Sequence, residues 1–435
     1  MEPAKERERK LRKPRASNGS YVMGFVIITF IITLIGGTIF RSMRPKRSCH
    51  YDGAYRRLVC KFKDRTELPD DLTENALFLQ IGEPNDKLEN EFSVLSRSNF
   101  SRFKHLQGLT LIKCGIEQVE IESFIDVPKV KRLDLRYNRI RSLPEKTFYG
   151  LLELEVLLLG NNPLLDLAAG VFIETSIDFL SLGNNPTLSH ISENAFENST
   201  IHQLELLKCS ITTLEKETFK PITESLRVLT INNNLQPLDI QERLFENLTL
   251  SLIDLSNNGL RDVSFIAHLE ADAIILAHNP LQLESDISST ASNISFAQTQ
   301  LQSISHVNFS LFTNLRYLDL SGNKLTRFNI SEFERMQLLE TIDASNNDIY
   351  AIEGDLSNPA LLPNMEVLYI HENYVQLIPS EIQPVFDHLQ NVSLHGNPLH
   401  CNCEVSIILF LLEFYITSRK NYNYFDTDFV NGVQP

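Results

Sequence analysis

The chain is poor in most of the features that mark an enzyme or a nucleic-acid binder. It has no phosphate-binding glycine loop, no His-Glu-x-x-His helix and no Gly-x-Ser-x-Gly elbow, and its 11 histidines are spread without ligand spacing. Catalysis, a metal site and a cofactor therefore find no foothold. Basic charge is scarce beyond the N-terminus. Residues 1–47 hold 11 Lys and Arg against 3 Glu, which leaves 29 against 52 and a formal charge of −23 for the rest. Such a surface disfavours nucleic acid and anionic membrane as ligands. Cysteine is rare too: of six in 435 residues, Cys49, Cys60, Cys401 and Cys403 stand toward the ends and Cys114 and Cys209 between them. Uncharged runs long enough to span a bilayer are limited to residues 21–40, because the apolar run Ile407–Ile416 is too short.

What the chain has instead is one phrase, repeated. In RLDLRYNRIRSLPEKTFYGL, residues 132–151, apolar residues fall at Leu133, Leu135, Ile140, Leu143 and Phe148 around Asn138. The position of Asn138 recurs as Cys114, Asn162, Asn185, Cys209, Asn234, Asn258, Asn279, Thr299, Asn323, Asn347, Asn373 and Asn397, at intervals of 20 to 26 residues and most often 24. An apolar-x-apolar pair precedes nearly every one, the period-two pattern of a strand with one buried face. These intervals resemble those of leucine-rich repeats. Length alone would suggest about three domains, but in a repeat each turn buries its core only against its neighbours, so one elongated solenoid is expected.

Each element of the phrase has a physical role. Where the chain leaves the strand, backbone groups are buried without ladder partners, and a side-chain amide can both donate to and accept from them. Thr299, Cys114 and Cys209 are expected to do this less completely. About ten residues beyond the marker comes an aromatic, Phe124, Phe148, Phe172, Phe196, Phe219, Phe245 and Phe333, expected to stack as a spine on the convex side. Between 258 and 299 the repeat shortens to 21 and then 20 residues and loses its Phe, which reads as a functional bend or as drift. Cys114 and Cys209 lie four turns apart, about 19 Å at about 4.8 Å per strand, beyond disulfide reach; they are expected to be buried thiols.

The N-terminal region divides into a basic cytoplasmic tail, 1–20, a transmembrane signal-anchor, 21–40, and a basic juxtamembrane linker, 41–48. Twenty helical residues span about 30 Å. Seven basic residues before the span against four after it place the N-terminus in the cytosol and the repeats outside, a single-pass type II arrangement. A cleaved signal peptide is the alternative, kept open by Gly36, Gly37 and Thr38. Arg44-Pro45-Lys46-Arg47 resembles a convertase site whose cleavage after Arg47 would shed the ectodomain; the other reading is an ordinary basic flank at the headgroups. Sequons at Asn99, Asn198, Asn247, Asn293, Asn308, Asn329 and Asn391 fit an extracellular location with N-glycosylation, while Asn18 would stay bare in the cytosol.

Caps should close the solenoid, which occupies residues 77–397. Cys49 and Cys60 bracket an N-terminal cap, 49–76, and are expected to bridge. At the other end, residues 398–435 form an incomplete cap: GNPLHCNCE, residues 396–404, resembles the opening of the C-terminal cap of extracellular leucine-rich repeat proteins. That cap carries two further cysteines, and none follows Cys403. Truncation, interchain pairing through Cys401 or Cys403, and free thiols all remain open. Cys401 and Cys403 are too close in sequence to bridge each other without strain. A zinc site with His395 and His400 adds nothing that the cap motif does not explain.

Residues 49–416 thus resemble an animal extracellular leucine-rich repeat ectodomain of the typical 24-residue class, as in Toll-like receptors, synaptic adhesion proteins and insect leucine-rich immune proteins. The shortened middle repeats and the Cys49, Cys60 spacing lean toward the insect group. The resemblance implies an α/β solenoid, a curved parallel-sheet horseshoe with N- and C-terminal caps, preceded here by one transmembrane helix. It implies a non-enzymatic protein that binds a protein partner on its concave face in innate immune recognition; cell adhesion is the alternative. Candidate ligand-binding positions between and after the inward leucines are Ile112, Arg136, Tyr137, Leu158, Glu205, Leu207, Lys208, Ile275, Tyr369, His371 and Glu372. Ile112, Leu158, Leu207 and Ile275 are expected to form an exposed apolar row. The column Asp134, Asp254, Asp319 and Asp343 fits the repeat consensus and is not read as a calcium site. A disulfide-linked or non-covalent dimer is a further expectation.

Overall fold

A computed structural model describes residues 48–400 apart from 62–65, 67–71, 73, 86–90, 242, 355–361, 380–384 and 386–388. The expected cytoplasmic tail, the candidate span 21–40, the candidate cleavage site after Arg47 and the pair Cys401 and Cys403 lie outside the described residues. No described helix is long and apolar enough to cross a membrane.

The described chain winds as a solenoid around one main sheet of sixteen strands. It begins with a hairpin, Ser48–Asp52 followed by Arg57–Lys61, which is joined by the Cys49–Cys60 disulfide. Cys60 is fully buried, and the second hairpin strand pairs in parallel with Phe78–Ile81, so the hairpin covers the first turn. From there every strand is parallel to the last. The inward leucines align in one register, Leu109, Leu133, Leu157, Leu180 and Leu204 continuing through Leu229, Ile253, Ile274, Ile294, Leu318, Ile342 and Leu368. All are essentially inaccessible to solvent. Each turn by itself would expose this face; stacking removes it from water at roughly 25 cal/mol per Å².

The ladder positions behave as amide chemistry requires. Asn138 donates through Nδ2 to the carbonyls of Leu111 and Leu135 at 2.7 and 2.8 Å, and its Oδ1 accepts the backbone N–H groups of Cys114 and Ile116 at 2.9 and 3.3 Å. Cys114 and Cys209 are buried free thiols that approach carbonyls only at 3.5 to 3.7 Å. Thr299 donates to the carbonyl of Phe296 at 2.7 Å and lies 3.1 Å from Asn323 Oδ1. The residue just before the ladder position is left-handed in all thirteen turns, from Lys113 (φ 53°) to Gly396 (φ 71°). That geometry reverses the chain at the end of each strand and favours the Asn or Gly found at 161, 184, 233, 257, 322, 346 and 396.

The aromatic spine runs opposite the sheet. Phe100, Phe124, Phe148, Phe172, Phe196, Phe219 and Phe245 stack with centroids 5.5 to 6.5 Å apart. The expected loss of Phe after residue 258 is corrected: Phe265 continues the spine edge-on to Phe245 at 5.8 Å. It stands seven residues past Asn258, because the shortened turn brings the chain to the core sooner. Beyond it a second aromatic group forms, with Phe309 5.0 Å from Phe333. The sheet continues unbroken across the short turns, Thr249–Asp254 pairing with Glu270–Ile275 and that with Asn293–Ser295. Helix is sparse: one four-residue α-helix, Arg97–Phe100, and four 3-10 helices lie wholly within the described residues, and Val385 is helical too. The α/β expectation is met in topology rather than helix content, since returns of so few residues pack as turns.

Candidate functional site

Because Leu133 and Leu135 point inward, residues 132 and 134 of the strand Arg132–Asp134 and residue 136 just beyond it face away from the core, and every turn repeats the arrangement. Parallel register lines these up as three rows across the sheet. The middle row reads Thr110, Asp134, Leu158, Ser181, Glu205, Thr230, Asp254, Ile275, Ser295, Asp319, Asp343, Tyr369 and Ser393. The row before it reads Arg132, Val156, Phe179, Gln203, Val228, Leu252, Ala273, Asn293 and Tyr317.

The eleven candidate residues do not form one site. Ile112 follows the strand Gly108–Leu111, and Tyr369 lies eleven strands further along the sheet, about 50 Å at about 4.8 Å per strand. They fall into separate groups: Ile112, Arg136, Tyr137 and Leu158; Glu205, Leu207 and Lys208; Ile275; and Tyr369, His371 and Glu372.

The exposed apolar row is corrected in part. Ile112 is 3% and Leu158 5% exposed, because neighbouring turns cover them, while Leu207 and Ile275 are half-buried. Sequence position told which way these side chains point but not how closely adjacent turns crowd them. Val156, Phe179, Val228 and Leu252 of the preceding row are half-buried as well, and these two pairs, separated by Gln203, supply most of the apolar character of the face between residues 156 and 275. Its signal was available in the alternation, one step before the inward pair.

Polar candidates are tied into the sheet. Arg136 donates to nearly buried Asp134 through Nε at 3.0 Å and through a terminal nitrogen at 2.8 Å, an ion pair that raises the guanidinium pKa. Glu205 accepts the Ser181 hydroxyl at 2.5 Å. Tyr137, Lys208 and Glu372 occupy the left-handed position of their turns and are exposed along the edge of the sheet. His371 stacks on His395 with centroids 4.5 Å apart, and Tyr369 meets it edge-on at 6.0 Å. Burial, then the neighbouring His395, holds the His371 imidazolium below its usual range. Its Nδ1 is buried without a partner.

The Asp column is structural in character. Asp319 accepts the Ser295 hydroxyl at 2.7 Å and Asp343 accepts the Ser345 backbone N–H at 2.9 Å. Burial raises the Asp343 pKa and pushes the Tyr317 phenol up as well. Among the described residues no group of three or more His, Cys, Asp or Glu could hold a metal ion. The thiols are chemically quiet: burial drives Cys114 far above its ordinary range and pushes Cys209 up to about 12.

Comparisons with known proteins agree with this architecture. A profile described as leucine rich repeat matches residues 104–164 and 292–349, and one described as BspA type leucine rich repeat region (6 copies) matches 164–267. Podocan of Mus musculus is 25% identical over 280 residues, covering 62% of this chain and 41% of podocan. Toll-like receptor 7 of Mus musculus is 27% identical over 348 residues, covering 72% of this chain and 31% of the receptor. The chain therefore spans less than half the length of either. A solved leucine-rich repeat protein of Leptospira interrogans superposes with a TM-score of 0.55 at 21% identity, over 84% of this chain and 97% of that one. The likeness carries the fold.

Proposed function

This chain belongs to the leucine-rich repeat proteins, and we propose that it is an extracellular, non-enzymatic recognition protein of the animal class that binds a protein partner on the outer face of its main sheet. The observation that carries the reading is the face itself. Val156 and Phe179, then Val228 and Leu252, lie in one register row as two apolar pairs separated by Gln203, beside Leu207 and Ile275 and within a polar frame of Arg132, Arg136 and Asp254. An apolar strip in a polar border is what a protein interface offers. The acidic ectodomain favours a partner with a basic rim.

In this reading residues 21–40 anchor the chain as a single-pass type II protein with its repeats outside, cleavage after Arg47 releases it, and Cys401 or Cys403 links a second chain. The role is innate immune recognition, supported by the similarity to Toll-like receptor 7. Cell adhesion is the second reading, supported by the membrane-span candidate at residues 21–40, which would hold the repeats at a cell surface.

Cells expressing the full chain separate the two. Aggregation of those cells favours adhesion; soluble ectodomain that binds a body-fluid protein favours recognition. In either assay Leu207→Glu with Ile275→Glu should abolish the interaction, and Leu152→Glu, at a position 75% exposed outside the main sheet, should leave it intact. Equal behaviour of the two variants would remove the sheet face from the account.

A further inference from the structure

Five of the seven sequons lie outside the main sheet. Asn99 is in the helix Arg97–Phe100, Asn308 caps the 3-10 helix Phe309–Leu311, and Asn329 ends the strand Arg327–Asn329 of a separate two-stranded sheet. Asn198 and Asn247 sit at exposed, left-handed turn positions. Asn293 and Asn391 are different: each opens a strand of the main sheet itself, Asn293–Ser295 and Asn391–Ser393. Ile294 and Val392 are the inward residues of those strands, so both asparagines stand in the outward row, half-buried.

Three strands lie between them, Tyr317–Asp319, Thr341–Asp343 and Val367–Tyr369, so the two asparagines are about 19 Å apart at about 4.8 Å per strand. The register connects Asn293 to Tyr317 on one side and to Ala273 on the other, and Asn391 to Val367. The Ala273 side chain leaves room next to Asn293. The Nδ2 of Asn391 points toward the Tyr369 hydroxyl at 3.4 Å, while its Oδ1 is buried without a partner.

We propose that Asn293 and Asn391 carry N-glycans that lie over the sheet face from Tyr317 to Tyr369 and close that part of it to protein partners, leaving the stretch from Val156 to Ile275 as the docking surface. The inference rests on the extracellular reading above. Attachment takes place on the extended chain before folding, so half-burial in the folded state is no obstacle. The Asn Nδ2 bonds to the sugar anomeric carbon and loses one proton. The sugar–phosphate bond of a polyprenyl-pyrophosphate-linked oligosaccharide breaks, releasing the polyprenyl pyrophosphate. The glycan's first sugars must then leave the sheet outward, since the inner face is filled by Ile294 and Val392.

The test uses the full chain from insect cells. Glycopeptide mass spectrometry reads occupancy at all seven sequons, and hydroxyl-radical footprinting then reads the oxidation rates of Tyr317, Tyr369 and His395. Asn293→Gln with Asn391→Gln should raise those rates several-fold, and Asn198→Gln should leave them unchanged. Endoglycosidase trimming of the native chain should reproduce the rise, which keeps the test valid if the double variant misfolds. Occupancy elsewhere with Asn293 and Asn391 bare, or equal oxidation with and without their glycans, would overturn the inference alone. Seven bare sequons would overturn the extracellular reading with it.

Discussion

Asn279 Oδ1 accepts two backbone N–H groups of the preceding turn, those of Asn258 at 2.9 Å and Leu260 at 3.0 Å, while its Nδ2 donates to the carbonyls of Leu255 and Leu276. One side chain thereby joins two turns at the point where the repeats are shortest. Asn279→Ala leaves these backbone groups buried and unpaired, at about 1–3 kcal/mol for each group that water cannot reach. Amide hydrogen exchange should show Asn258 and Leu260 losing protection first, with distant turns such as that of Asn138 little changed, because solenoid stability is carried by nearest neighbours.

Phe148 is stacked between Phe124 at 6.1 Å and Phe172 at 5.7 Å, with no exposed surface. Phe148→Ala should cost about 3–5 kcal/mol through lost burial and the cavity left behind. Denaturant titration would show a lowered midpoint for the N-terminal turns. A loss below 1 kcal/mol would mean that the neighbouring turns collapse into the space.

Cys114 and Cys209 should resist iodoacetamide in the folded chain, both because they are buried and because their thiols stay protonated, Cys209 up to about 12. Alkylation followed by mass spectrometry checks this. Both should react fully in denaturant, and modification of either under native conditions would contradict its placement in the ladder.

Asp343 gives a pH dependence whose sign is fixed by burial. Its folded pKa is raised, so its contribution to stability is full at acid pH and is lost as pH rises through that raised value. Asp343→Asn keeps an oxygen for the Ser345 N–H and removes the buried charge. The variant should melt at higher temperature than the parent at neutral pH, with the difference closing as the parent protonates. An equal or lower melting temperature at neutral pH would show that the carboxylate is better solvated than its position implies.

The repeat was legible in the sequence because its signals are local. The Leu133 and Leu135 alternation, Asn138 and Phe148 each follow from what one turn needs, and the Cys49–Cys60 hairpin follows from its position at the end of the solenoid. Burial on the outer face was less legible, since Ile112 and Leu158 are covered by adjacent turns rather than by anything in their own. The left-handed position was visible in Asn161, Asn184 and Gly322, yet Tyr137, Lys208 and Glu372 at the same position look like ligand-binding side chains. Phe309, ten residues past Thr299, belonged to the aromatic pattern and was hidden only by the irregular turns before it. The placement of Asn293 and Asn391 on the sheet required the register.

We propose an extracellular recognition protein that residues 21–40 would anchor. Expression of the full chain in insect cells, with membranes and medium resolved on gels with and without glycosidase and reductant, tests it most directly. Glycosylated repeats on the cell surface, or in the medium beginning at Ser48, are the predicted result, and a dimer that collapses with reductant would assign Cys401 or Cys403 to the partner bond. Unglycosylated repeats protected inside the cytosol would contradict the account.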